Sequence, residues 1–150
     1  MSEAGKIKTI AIANDHGGLT IKPEILSFLS KSGFTVLDFG TNCEASVDYP
    51  DYASLVASAI LGGKADAGLL ICGTGIGMSI AANRHKNIRA ALCHDVFSAK
   101  ATRGHNNANI LVMGARVIGP GLALEIAKAF FTTQFSKDER HIRRINKIDI

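Results

Sequence analysis

The chain has 150 residues, 47% apolar and 20% charged, and its 17 Lys and Arg against 13 Asp and Glu give a formal net charge of +4. That is the length of one domain and the usage of a globular one, which excludes a disordered chain, a collagen-like repeat and a linker-rich array. With no tryptophan, only 6% aromatics and no apolar run near the ~18 residues of a membrane span, neither a nucleic-acid nor a membrane partner is expected.

Residues 1–6 carry no apolar stretch of the kind that opens a leader peptide. The alternation from Ile7 to Ala13 then predicts a first strand, ending at Asn14-Asp15-His16-Gly17-Gly18. Ile21, Ile25, Phe28 and Leu29 share a helical face that stops at Gly33, and Phe34 to Phe39 reads as a second strand. Pro50 can open a second helix whose apolar face carries Tyr52, Leu55, Val56, Ala59 and Ile60. Gly68-Leu69-Leu70-Ile71-Cys72 is short and wholly apolar, as a central parallel strand buried on both faces should be. A glycine-rich turn leads to a third helix over residues 76–84. Strands follow at 88–93 and 110–113, with helices at 96–102 and 121–131. Residues 137–147 form a basic amphipathic stretch with Ile142, Ile145 and Ile148 along one side.

Strands alternating with helices at this spacing predict one α/β domain over residues 1–150. The expected architecture is a three-layer α/β/α sandwich, with a five-stranded parallel Rossmann-like sheet and a C-terminal helical tail. In such sheets ligands bind beyond the carboxyl ends of the strands. Those ends carry Asp15-His16, the loop around Tyr49, Cys72-Gly73-Thr74-Gly75 and His94-Asp95. Cys43, Cys72 and Cys93 are odd in number and form no CxxC pair, so a disulfide framework and a structural zinc site are not expected. The protein is read as soluble and cytoplasmic.

The sharpest motif is Cys72-Gly73-Thr74-Gly75-Ile76-Gly77, a buried strand entering a helix through three alternate glycines. Backbone N–H groups at such a turn can hold a phosphate or a developing oxyanion. The same glycines would also serve tight strand–helix packing alone. The spacing is neither the dinucleotide fingerprint nor a P-loop. A thiol beside a helix N-terminus has its thiolate favoured, which suits a base or nucleophile, although many lone cysteines are small core residues. Asp15-His16 reads as a titratable pair at a ligand edge or as a turn cap. In Arg103-Gly104-His105-Asn106-Asn107-Ala108-Asn109 an Asx-rich turn explains the amides but not the histidine. Arg116 follows the fifth strand. Arg140 and Arg144, one turn apart, can clamp a phosphate or form an ordinary solvated face.

Together these pieces resemble the type B ribose-5-phosphate isomerases and the related galactose-6-phosphate and allose-6-phosphate isomerases. The resemblance spans essentially the whole chain. It rests on Asp15-His16-Gly17-Gly18, Asp48-Tyr49-Pro50-Asp51-Tyr52-Ala53, the stretch from Cys72 to Asn83, His105-Asn106-Asn107-Ala108-Asn109, Gly114-Ala115-Arg116-Val117-Ile118-Gly119, and Arg140-His141 with Arg144. It implies interconversion of ribose 5-phosphate and ribulose 5-phosphate through an enediolate, without a metal or other cofactor. Cys72 takes the position of the base that moves a proton between C1 and C2. Some members use a glutamate six positions on, where this chain has Met78. The resemblance makes Gly73, Gly75, Ile76 and Gly77 the anion hole and His105 the group that opens the sugar ring. Asp15, Thr74 and Asn106 would then hold sugar oxygens, and His16, Arg116, Arg140 and Arg144 the phosphate. Tyr49 joins the substrate-binding set.

The chain has no HxH or HExxH grouping of the kind a metal-assisted hydride shift would want. The resemblance also implies a sheet order beginning 2-1-3. It implies a homodimer, sometimes paired into tetramers, whose tail (137–150) packs on the partner subunit. A six-carbon sugar phosphate is the alternative substrate, and a nucleotide- or nucleic-acid-binding module the alternative class. Five basic and two acidic side chains between 137 and 147 hold +3 of the +4 charge. The charge therefore points to a local clamp for one small phosphate and not to a polyanion-binding surface.

Overall fold

Strand β1 (Thr9–Asn14) sends Ile10 and Ile12 to one face of a sheet and Ala11 and Ala13 to the other, all four fully buried. The same period of two sorts β3 (Ala67–Cys72) into Leu69 and Ile71 against Leu70 and Cys72. It sorts β5 (Ile110–Gly114) into Leu111 and Met113 against Ile110 and Val112. The structure, a computed structural model, describes residues 5–150. The leader reading above falls partly on residues 1–4, outside the described residues. With β2 (Thr35–Asp38) and β4 (Ala90–Leu92) the five strands form one parallel sheet in the order β2-β1-β3-β5-β4. The expected 2-1-3 start is present.

The helices are α1 (Lys22–Lys31), α2 (Tyr49–Leu61), α3 (Ile76–Ala82), α4 (Val96–Asn106), α5 (Pro120–Thr132) and α6 (Glu139–Ile148). α1, α4 and α5 cover the bulky face, where Phe130 is fully buried, and α2 and α3 cover the face lined with alanines. Small residues there let α2 sit close. A Cβ on Gly68 would stand 2.5 Å from Val56 Cγ1. Each fully buried Ile, Leu or Phe stabilises the fold by roughly 1.5–3 kcal/mol, so most of the burial energy lies on the α1/α5 side. The alanine side determines how near α2 comes.

Three readings change. On α2 the buried residues are Ala53, Val56, Ala57 and Ala59, whereas Leu55 is 46% exposed. The close approach of α2 leaves room for alanine but not for leucine at the contact. The run from Arg103 to Asn106 is the last turn of α4, which closes at Asn107 in the left-handed region (φ 46°). It is helix, not loop, because Asn107 can stop it without a glycine. On α6 the inward residues are His141 and Ile145, and Ile142 and Ile148 are exposed. The helix therefore docks by a polar–apolar stripe on α4 of its own chain.

Candidate active site

Chain order reverses direction across β1 and β3, and the crevice beyond their carboxyl ends is where such sheets bind ligands. β1 delivers Asp15, whose N–H donates to Ile71 O at 3.2 Å, so the strand end is tied to β3. The Asp15 carboxylate accepts from Gly17 N–H at 2.8 Å and caps a short 3-10 turn, His16–Gly18. The turn-cap reading of Asp15 is thus seen directly, and the same residue lines the cleft described below. His16 Nδ1 accepts from Val47 N–H at 3.2 Å, which leaves Nε2 as the donor of the neutral ring.

Cys72 ends β3, almost completely buried, and its Sγ accepts from Gly75 N–H at 3.0 Å. Gly75 has φ +79°, a conformation that strains any residue with a Cβ, and it turns the chain into α3. Thr74 Oγ1 accepts from Ile76 N–H at 3.3 Å. Arg116 lies over the turn: its N–H donates to Gly73 O at 2.9 Å, and a Cβ on Gly73 would be 3.1 Å from its Nη1. Tyr49 comes from the start of α2 and lies against Gly77, where a Cβ would be 2.5 Å from the Tyr49 ring. The close packing of α2 is what brings Tyr49 there. Asp15, Tyr49, Cys72, Gly73, Thr74, Ile76, Gly77 and Arg116 all line one open cleft of about 450 Å³. Met78, at the alternative base position, is fully buried in the core.

His16 and Gly75 stand at this same edge, whereas His105, Asn106, Arg140 and Arg144 are elsewhere. Gly114 pairs with Cys72 and Ile110 with Gly68, so the start of β5 lies ~13 Å from the cleft along a strand rising ~3.3 Å per residue. His105 and Asn106 precede β5 at that far edge. α6 keeps Arg140 and Arg144 with them, because the His105 and His141 rings stack at 4.6 Å between centroids. One chain therefore gathers Cys72, the turn from Gly73 to Gly77 and Arg116 at one edge of the sheet. At the other edge it assembles His105, Asn106, Arg140 and Arg144.

Two polar features at strand ends are structural. Asp95 caps α4, accepting from Ser98 N–H at 2.7 Å, and these bonds hold its carboxyl below the usual range. His94 Nε2 accepts from Gly114 N–H at 3.0 Å. Lys22 gave no signal in the sequence, yet it is buried, paired with Asp38 at 3.1 Å and bonded to Thr41 O and Asn42 Oδ1. It anchors the loop that leads to Tyr49. Arg89, inside a run that reads as plain strand, was equally silent.

Burial, reinforced by Asp95, pushes the Cys93 thiol up to about 11. Native iodoacetamide labelling near pH 8 should therefore modify exposed Cys43 and spare Cys93 until the protein is denatured, as peptide mass mapping will read. His141 is held below its ordinary value of 6.5 by burial, then by His105 and Arg140, with Arg144 adding and Asp138 opposing. A depressed value means that the folded state favours the neutral ring. Its contribution is complete above pH 6.5 and is lost as the pH falls below it. The urea midpoint should fall more steeply between about pH 7.5 and 5.5 in wild type than in His141→Gln. Parallel slopes would show that His141 has no part in the acid sensitivity.

A family model described as Ribose/Galactose Isomerase matches residues 10–148. The chain is 45% identical over 142 residues to ribose-5-phosphate isomerase B of Escherichia coli, covering 95% of each. It is 45% identical over 128 residues to a D-erythrulose-4-phosphate isomerase of Pectobacterium atrosepticum, covering 85% of this chain and 84% of that one. Among solved structures, a ribose 5-phosphate isomerase of Thermotoga maritima matches with a TM-score of 0.92 and 52% identity, over 95% of this chain and 97% of that one.

Proposed function

The chain belongs to the ribose/galactose isomerase family, and from that membership we propose that it interconverts ribose 5-phosphate and ribulose 5-phosphate through an enediolate. The observation that carries this reading is Cys72 at the end of β3, its sulfur held by Gly75 N–H, in one cleft with Asp15 and Arg116. Cys72 as thiolate takes the C2 proton of the open-chain aldose. The C–H electron pair becomes the C1–C2 double bond, and the charge moves to O1. A proton passes from O2 to O1, and the thiol returns its own proton to C1 to give the ketose. Gly75 N–H is taken by Cys72 Sγ and Ile76 N–H by Thr74 Oγ1, so the N–H groups of Gly73 and Gly77 are the ones that face the oxygens that gain charge. Donors so placed are each worth roughly 3–4 kcal/mol in the transition state.

His16 and Arg116 take the phosphate from one side. Arg140 and Arg144 of the partner subunit take it from the other, and the partner's His105 and Asn106 open and hold the ring. The homodimer is supported by the distance between the two half-sites within one chain. It is also supported by Ile76 and Ile80, 53% and 55% exposed beside the cleft. Three free cysteines favour a reducing cytoplasm. Among the described residues no helix is long and apolar enough to cross a membrane.

The test sets ribose 5-phosphate, allose 6-phosphate and erythrulose 4-phosphate side by side, with and without chelator. The highest kcat/KM is expected on ribose 5-phosphate, unchanged by chelator. The other two sugars remain the second reading, since the family spans ribose and galactose isomerases and one relative is named for a four-carbon ketose. A higher kcat/KM on either would replace the pentose. Loss of activity in chelator with recovery on adding metal would replace the metal-free route.

A further inference from the structure

Arg89, just before β4, gathers groups from three parts of the chain. Its Nε donates to Asn106 O at 3.1 Å and to Asn107 O at 3.3 Å, and its Nη2 to Asn107 O at 3.1 Å. Its Nη1 pairs with the Asp149 carboxylate, and its backbone N–H donates to Asn109 Oδ1 at 2.8 Å. Asn106 O and Asn107 O lie at the carboxyl end of α4, where carbonyls lack helical partners and the helix dipole is negative. A guanidinium answers both needs, and its planar fork reaches two carbonyls and a carboxylate at once. Asp149 directly follows α6. That helix is therefore fastened at its start by His141 stacked on His105, in its middle by buried Ile145, and at its end by Asp149 on Arg89. Arg140 directly precedes the first of these anchors and Arg144 directly precedes the second.

We propose that Arg89 is a positioning residue for the isomerisation. It fixes the His105–Asn106 corner and, through Asp149, sets the phosphate-clamping helix in register with that corner. The inference rests on the function proposed above, in which both elements serve one substrate molecule. His105 and Asn106 act at the ring and the two arginines at the phosphate. The Arg89–Asp149 pair thus holds the span between the two ends of the sugar.

Steady-state kinetics on ribose 5-phosphate, well below the unfolding midpoint, test it with Asp149→Ala, Asp149→Asn, Arg89→Lys and the Asp149→Ala/Arg89→Lys double variant. Asp149→Ala should raise KM about fivefold or more with kcat within about twofold, because only the clamp is loosened. Asp149→Asn keeps a hydrogen-bond acceptor and should recover part of that loss. Arg89→Lys should raise KM and also lower kcat about tenfold, because a point charge cannot hold both carbonyls. In the double variant KM should match Arg89→Lys alone, since the two residues act as one link. Unchanged kcat and KM in Asp149→Ala, with wild type active, overturn the inference alone. So does a loss in Asp149→Ala confined to kcat. A wild-type chain with no isomerase activity overturns the proposed function and this inference with it. Asp149 lies next to the chain end, so its variants decide the matter even where Arg89→Lys does not fold.

Discussion

Cys72→Ala is expected to lower kcat on ribose 5-phosphate by about a hundredfold to ten-thousandfold, the range a positioned general base supplies. Inorganic phosphate should still bind the variant, because His16, Arg116 and the arginines of α6 are untouched. Isothermal titration with phosphate separates the two effects. The substitution also removes the acceptor of the Gly75 N–H bond, and a buried donor left unpaired costs roughly 1–3 kcal/mol. Cys72→Ser keeps an acceptor there and should restore stability without restoring turnover. A kcat near wild type in either variant would show that another group moves the C2 proton.

A larger change in signal comes from mixing two inactive chains. Cys72→Ala spoils the half-site at the carboxyl ends of the strands, and His105→Ala spoils the half-site at the opposite edge. If each working site takes one half from each subunit, co-refolded mixtures contain dimers in which one of the two sites has both intact halves. With random pairing about half of the dimers are mixed and each carries one good site, so about a quarter of wild-type activity should return. Two inactive parents thus give an active mixture. Failure of the mixture to exceed its parents, when the mixed dimer is shown to form, would mean that each chain works with its own His105.

Much of the fold was legible because hydrophobic burial leaves a local imprint. Alternation along β1, the continuous apolar run of β3 and the helical stripe from Ile21 to Leu29 each follow from which side must face the core. The errors came where packing distance or chain termination decided the outcome. Leu55 fits a helical stripe as well as Ala53 does, but the gap between α2 and the sheet admits only the smaller side chain. Nothing local shows that Asn107 turns left-handed, so the last turn of α4 read as a loop. Lys22 and Arg89 were missed because a charge inside an apolar pattern looks like a surface residue until its partners, distant in sequence, are known.

By itself the sequence determined the layer architecture, the strand-to-helix turn from Cys72 to Gly77 and the concentration of charge in the tail. These depend on residues within a few positions of one another. Only the tertiary structure decided that β4 lies outside β5, that Arg89 joins α4 to the end of α6, and that the candidate residues divide between two edges of the sheet. Those outcomes depend on strand order and on the length of β5, which separates His105 from Cys72 in space. Periodicity records which face of a strand or helix is buried, and carries no record of which strands become neighbours.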